Sequence, residues 1–149
     1  MKLSCTPLQQ ETFAFAIAKY YHSKQLDKMG RPYFDHCLAV ANKFTNPIDR
    51  AVAIMHDLVE DTTVTLEKLS SFGIFDAVVL EALSLLTHKE QDTYRDYVVG
   101  LSSNALARRV KLADLAHNLG RLPELEAAQG EKPHLRSRYL WAIDYLNNV

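Results

Sequence analysis

Ala51, Val52, Ala53, Ile54 and Met55 are five consecutive apolar residues inside a stretch, Ile48 to about Leu58, that reads as one helix. A helix apolar on most of its sides has to be buried. Other helices must therefore surround it. Pro47 suits the first turn of this helix, and Thr45, Asn46 and Pro47 close the preceding one, read from Tyr33 to Phe44. Upstream, Phe13, Ile17, Tyr20 and Tyr21 recur at i, i+4, i+7 and i+8, which predicts a helix over Leu8 to Tyr21 with those residues lining one face. The segment Ser23 to Pro32 is polar and ends in Gly-Arg-Pro, so it reads as an exposed loop, free to bind something.

The second half continues the pattern. Leu66 to Ser70 is a short helix capped by Thr65 and stopped at Phe72-Gly73, and Ala77 to Leu86 is another. Thr93 to Leu101 puts Tyr94, Tyr97, Val98 and Leu101 on one face; Asn104 caps a helix expected to run through Asn118. A last helix, His134 to Leu146, spaces Leu135, Tyr139, Ala142, Ile143 and Leu146 at the helical period. No alternating strand, repeat or low-complexity tract interrupts this. The expected fold is all-α, a single helical bundle over residues 1–149.

Charge and cysteine content narrow the function. A net charge of -1 over 149 residues gives no field favouring nucleic acid or an anionic membrane, so neither is expected as a partner. The N-terminal MKLSCTPLQQ is not a secretory signal, and no stretch approaches the roughly 20 apolar residues of a membrane span, so a cytoplasmic protein is expected. Cys5 and Cys37 lack CxxC spacing and read as reduced thiols. Oligomeric state has no signal in the sequence.

The buried helix ends in HDLVED, residues 56–61. If the helix runs on for another turn, His56 shares a face with Glu60, and Asp57 with Asp61. Acids at a helix end are usually a solvated surface, but a cluster directly after a buried run costs several kcal/mol unless neutralised, and a divalent cation neutralises it efficiently. His56 and Asp57 supply only two ligands. His36, early in the second helix, and Asp114, within KLADLAHN, are the candidates that complete the set; the plainer reading of Asp114 is a cap or a salt bridge to Lys111. Two imidazoles and two carboxylates suit manganese, iron or zinc better than calcium.

The order H…HD…D and the wording around it resemble a known family. HSKQLDKMGRPYFDH at 22–36, AVAIMHDLVEDT at 51–62, LLTH at 85–88, TYRDYV at 93–98 and RRVKLADLAHNL at 108–119 are similar to the HD-domain metal-dependent phosphohydrolases. Within them they resemble the hydrolase domain of the RelA/SpoT homologues, the small alarmone hydrolases. The resemblance implies the HD-domain helical fold and a manganese ion, or another divalent metal, held by His36, His56, Asp57 and Asp114. It implies Glu60 and Asp61 as the catalytic pair, and removal of the 3′-pyrophosphate from guanosine tetra- or pentaphosphate to leave GDP or GTP. This length has no room for a synthetase domain, so hydrolysis alone is implied. Substrate contacts implied by the family positions are Lys24, Lys28, Tyr94 and Asn118. His22, His88, His117 and His134 read as structural or surface histidines.

Three positions depart from the family pattern. Asp27 stands in the loop where the family has an arginine that helps hold the guanine end, Leu115 replaces an arginine after KLAD, and Cys37 replaces a proline. A carboxylate at 27 cannot stack or donate as a guanidinium does and would repel phosphate. An HD phosphohydrolase for another nucleotide or phosphorylated metabolite is the second reading, and a non-catalytic nucleotide sensor the third. All six metal and catalytic positions are kept, which disfavours the sensor.

Overall fold

The computed structural model describes residues 4–149, and among them the chain forms nine α-helices and no strand. They are α1 (Pro7–Tyr21), α2 (Phe34–Ala41), α3 (Pro47–Ile54), α4 (Leu58–Asp61), α5 (Leu66–Ser71), α6 (Ala77–Leu86), α7 (Tyr94–Ser102), α8 (Ala105–Gln129) and α9 (Pro133–Asn147). The all-α bundle anticipated from periodicity is what forms. The apolar run of α3 is its centre: Ala51 to Met55 are fully buried, with α1 and α2 packed on α3 and with α6 and α8 completing the enclosure.

Local chemistry sets the helix starts. Thr6 Oγ1 accepts from the Gln9 amide at 3.1 Å while Gln9 Oε1 accepts from the Thr6 amide at 2.8 Å, a reciprocal cap worth about 1 kcal/mol. Thr65, Thr93 and Asn104 cap α5, α7 and α8 through single side-chain acceptors at 3.1, 3.1 and 2.9 Å. Asn46 does the same for α3, accepting from the Ile48 amide at 2.9 Å.

Three expectations are corrected. The inward face of α1 is Gln10, Ala14 and Ala18; Phe13 and Tyr20 point outward, 44% and 74% exposed. The cause is close packing of α1 on α3, where alanines let two backbones approach and large rings do not fit. Buried Gln10 is satisfied, its Nε2 donating to the Cys5 carbonyl at 3.1 Å and its Oε1 accepting from the Asp76 amide at 3.0 Å.

The helix expected to stop at Asn118 continues to Gln129, through Gly120 and Pro123. Pro123 forfeits one helical hydrogen bond, but buried Leu122 and the packing of α9 along α8 hold the extra turns. Gly130, at φ 91°, ends it.

Finally, α3 does not run into HDLVED as one helix. The amides of Met55, His56 and Leu58 bond to the carbonyls of Val52, Ala53 and Met55, three residues back instead of four. This tighter turn separates α3 from the single-turn α4.

Candidate metal centre and its cleft

The turn that ends α3 and two helices packed on α3 each deliver part of one cluster. His36 comes from the first turn of α2, His56 and Asp57 from the turn after α3, and Asp114 from the middle of α8. One nitrogen or oxygen of each lies within 4.8 Å of all the others. His36 Nε2 is 2.9 Å from Asp114 Oδ1 and 3.8 Å from Asp57 Oδ2, while His56 Nε2 is 3.3 and 2.9 Å from the same two oxygens. His36, His56 and Asp114 are buried and Asp57 is half-buried. The four residues picked from spacing are therefore neighbours in space.

The donor set fits a divalent metal ion. His56 Nδ1 sits 2.6 Å from the carbonyl oxygen of Ala53, which can only accept, so Nδ1 carries the hydrogen. A neutral ring would then aim the lone pair of Nε2 at two carboxylates. That is favourable only when a proton or a cation stands between them. Burial disfavours a charged His56, yet the Asp57 and Asp114 carboxylates outweigh it and push its pKa well above the usual histidine value. Burial likewise disfavours ionised Asp57, but the facing His56 charge holds it at about 2. Asp114 is held well below the carboxylate range against burial by Lys111 and His56. Two imidazole nitrogens and two ionised carboxylates form a sphere of the kind transition metals occupy.

A second layer holds these groups in place, and sequence reasoning found only part of it. Lys111 Nζ donates to Asp114 Oδ2 at 2.9 Å and Asn118 Nδ2 donates to Asp114 Oδ1 at 3.1 Å. The Tyr33 hydroxyl donates to Asp57 Oδ2. His117 Nδ1 lies 2.7 Å from His36 Nδ1, with the rings stacked at 4.9 Å. Burial, then the adjacent His36, push His117 down to about 4, so it is neutral at physiological pH. The signal for His117 was its place three residues after Asp114, on the same helix face.

Glu60 and Asp61 flank the cluster but do not pair with His56 and Asp57 along one helix. Because the chain turns at 55–57, Glu60 Oε1 accepts from the His88 amide at 2.6 Å and Asp61 Oδ2 accepts from Gln25 Nε2 at 3.2 Å. Both side chains keep solvent contact. Partial loss of water and then the Asp57 charge nonetheless raise the pKa of each above the ordinary carboxylate value.

A cleft of about 360 Å³ opens beside the cluster, reached through Tyr33 and Asn118, which line both. Its other polar groups are Gln25, Asp27, Lys28, Arg31, Arg121 and Glu124, and Leu26, Met29, Leu122, Leu125 and Tyr139 supply apolar wall. Of the residues expected to contact substrate, Lys28 and Asn118 line the cleft. Lys24 and Tyr94 are not among its lining residues: Lys24 is exposed, and the Tyr94 ring lies 6.4 Å from Trp141 with the Arg138 guanidinium 4.8 Å over it. Arg31 is paired with Glu124.

The loop carrying Asp27 is ordered. Asp27 Oδ1 accepts from the amides of Met29 and Arg31, both at 2.9 Å, and its amide donates to the Arg31 carbonyl at 2.8 Å. Gly30, at φ 79°, makes the reversal. Asp27 Oδ2 is 3.6 Å from Arg121 Nη1. Arg121, one turn after His117, was not singled out in the sequence.

Comparison with known proteins gives consistent relatives. The chain is 35% identical over 117 residues to a probable GTP pyrophosphokinase of Mycobacterium leprae, covering 71% of this chain and 15% of that protein. It is 30% identical over 142 residues to a GTP pyrophosphokinase of Streptomyces coelicolor, covering 88% of this chain and 17% of that protein. The chain therefore spans a small fraction of the length of the curated relatives it matches. No family model matches it. Its fold is shared with a solved structure described as a metazoan ortholog of SpoT that hydrolyzes ppGpp and plays a role in starvation responses. The TM-score is 0.74 at 24% identity, over 93% of this chain and 86% of that one.

Proposed function

From the relationship of this chain to the RelA/SpoT homologues, which it matches over one segment of their length, we propose that it is a metal-dependent phosphohydrolase of guanosine tetra- and pentaphosphate. It removes the 3′-pyrophosphate and leaves GDP or GTP. The observation that carries the reading is the convergence of His36, His56, Asp57 and Asp114 within 4.8 Å, with Glu60 and Asp61 one turn further along the chain.

His36, His56, Asp57 and Asp114 are the residues that hold the ion, which we take to be manganese. When bound, it supplies Lewis-acid polarisation of the phosphoryl group and acidifies water. The protein's own part is proton transfer and positioning. Partial loss of water and the Asp57 charge make Glu60 and Asp61 hold protons more readily than free carboxylates, which suits a base that takes a proton from the attacking water. Attack at phosphorus breaks its bond to the 3′-oxygen. The water oxygen ends in pyrophosphate and the 3′-oxygen recovers a proton. Lys28 and Asn118 hold the nucleotide in the cleft beside them. Two unpaired cysteines and a nucleotide substrate support a cytoplasmic location.

The test is release of pyrophosphate from guanosine tetraphosphate with manganese, run beside other nucleotides and an EDTA control. Chelator-sensitive formation of GDP in preference to the panel supports the reading. Turnover of another nucleotide alone keeps the metal chemistry and discards the substrate; metal binding without any turnover supports a sensor.

A further inference from the structure

Asp27 and Glu124 both place a carboxylate on the wall of the cleft, a problem for any anionic ligand; Glu124 is paired with Arg31, which leaves Asp27. The surroundings of Asp27 remove the rest of the problem. One carboxylate oxygen is occupied by the amides of Met29 and Arg31, and the other faces the Arg121 guanidinium at 3.6 Å. Burial disfavours its charge, yet those amides together with Arg121 and Arg31 keep the Asp27 carboxyl below its ordinary pKa. Asp27 and Arg121 are a fixed ion pair across the cleft.

Arg121 is also held from its own helix. Its Nε and Nη2 donate to Asn118 Oδ1 at 3.2 and 2.8 Å, and Asn118 in turn donates to Asp114 at 3.1 Å. The plane of the guanidinium is thereby fixed relative to the metal cluster. Of five N–H donors, Asn118 takes two and Asp27 faces one terminal nitrogen, which leaves donors for a ligand. The side chain is 31% exposed, so it is accessible.

The chemistry decides what such a group reads. An arginine meant for phosphate gains little from a carboxylate partner that cancels its charge. A neutralised, planar, oriented fork suits an uncharged planar group with two adjacent acceptors, and the O6 and N7 edge of guanine is such a group. Met29, Leu122 and Leu125 supply apolar surface for a base in the same cleft. Lys28 is left for the phosphates.

We propose that Arg121, positioned by Asp27 and Asn118, is the residue that selects guanine in this cleft. The inference rests on the nucleotide reading of the site, but it concerns base choice and is tested by binding as well as by turnover. The affinities of GDP and ADP are measured by calorimetry in the presence of manganese for the unaltered protein, Arg121→Ala, Arg121→Lys and Asp27→Asn. The unaltered protein is expected to prefer GDP by about tenfold or more, the range of one bidentate arginine contact to a base. Both Arg121 variants should bring the ratio close to one, the lysine variant while keeping the charge facing Asp27. Asp27→Asn keeps an acceptor for the two loop amides and should reduce the ratio less.

Circular dichroism establishes that each variant is folded, and the lysine variant serves if the alanine variant is not. Equal binding of GDP and ADP by the unaltered protein, no binding of either, or a preference that survives both Arg121 variants would overturn the proposal. So would a loss that tracks the number of 5′-phosphates and leaves the base ratio unchanged. Turnover of guanosine tetraphosphate by the unaltered protein, measured alongside, tests the hydrolase reading separately: base selection without turnover retires the reaction and keeps Arg121.

Discussion

The Nδ1 atoms of His36 and His117 lie 2.7 Å apart, so one ring must donate to the other. When His36 presents an unprotonated Nε2 to the cluster, its Nδ1 carries the hydrogen and His117 accepts it. This fixes the tautomer that can ligate a metal, as outer partners of metal-bound histidines generally do. His117→Ala is expected to weaken manganese binding by roughly 10 to 100-fold, and His117→Gln, which retains an acceptor, by less. Calorimetric titration with manganese checks both. Equal affinities in all three proteins would remove His117 from the site.

Glu60→Gln with Asp61→Asn separates chemistry from ligation. Neither carboxylate belongs to the converging set, so manganese affinity should stay near that of the unaltered protein while turnover falls by about 10² to 10⁴. Unchanged turnover in the double variant would sink the proposed mechanism.

The same carboxylates set the acid side of the pH profile. Both have raised pKa values, and the base form is the unprotonated one, so activity declines as pH falls through values above those of free Glu and Asp. In either single variant the limb should move or simplify. A profile identical to that of the unaltered protein in both would exclude these groups as its origin.

Metal and pH are linked through His56. In metal-free protein its raised pKa contributes stability that is complete below the ordinary histidine value and fades as pH rises through the raised one. Asp57 acts at the other end, its contribution present above the free-carboxylate value and lost as pH falls through about 2. A bound ion takes the place of the His56 proton. Melting curves with EDTA should therefore decline from about pH 6.5 upward, whereas manganese at about 100 times its Kd should add about 2.7 kcal/mol and flatten the decline. Parallel curves with and without metal would contradict this coupling.

Leu58→Ala probes how the fold supports the site. Leu58 is fully buried directly after Asp57, and its loss should cost about 2 to 5 kcal/mol in urea unfolding. A cost below about 1 kcal/mol would mean that the turn after α3 is not held by this contact.

The sequence by itself determined the helical class, most helix starts and the four residues that converge. Helical period, Thr and Asn caps and the buried run at 51–55 are local signals, and one residue's neighbours suffice to read them. The order H…HD…D carried the cluster because His56 and Asp57 sit in the turn that ends α3 while His36 and Asp114 sit on α2 and α8, which both pack on α3. Tertiary structure decided what local signals could not. The packing of α1 on α3 chose alanines over Phe13 and Tyr20, and the packing of α9 along α8 carried that helix through Pro123. The turn after α3 parted Glu60 and Asp61 from the pairing that helical spacing suggested. Arg121 and His117 acquired meaning only when α8 was laid against the 23–32 loop and α2, because 94 residues of sequence separate Arg121 from Asp27 and 81 separate His117 from His36. Propensity and periodicity are short-range, whereas charge pairing and close packing depend on distances that only the assembled chain defines.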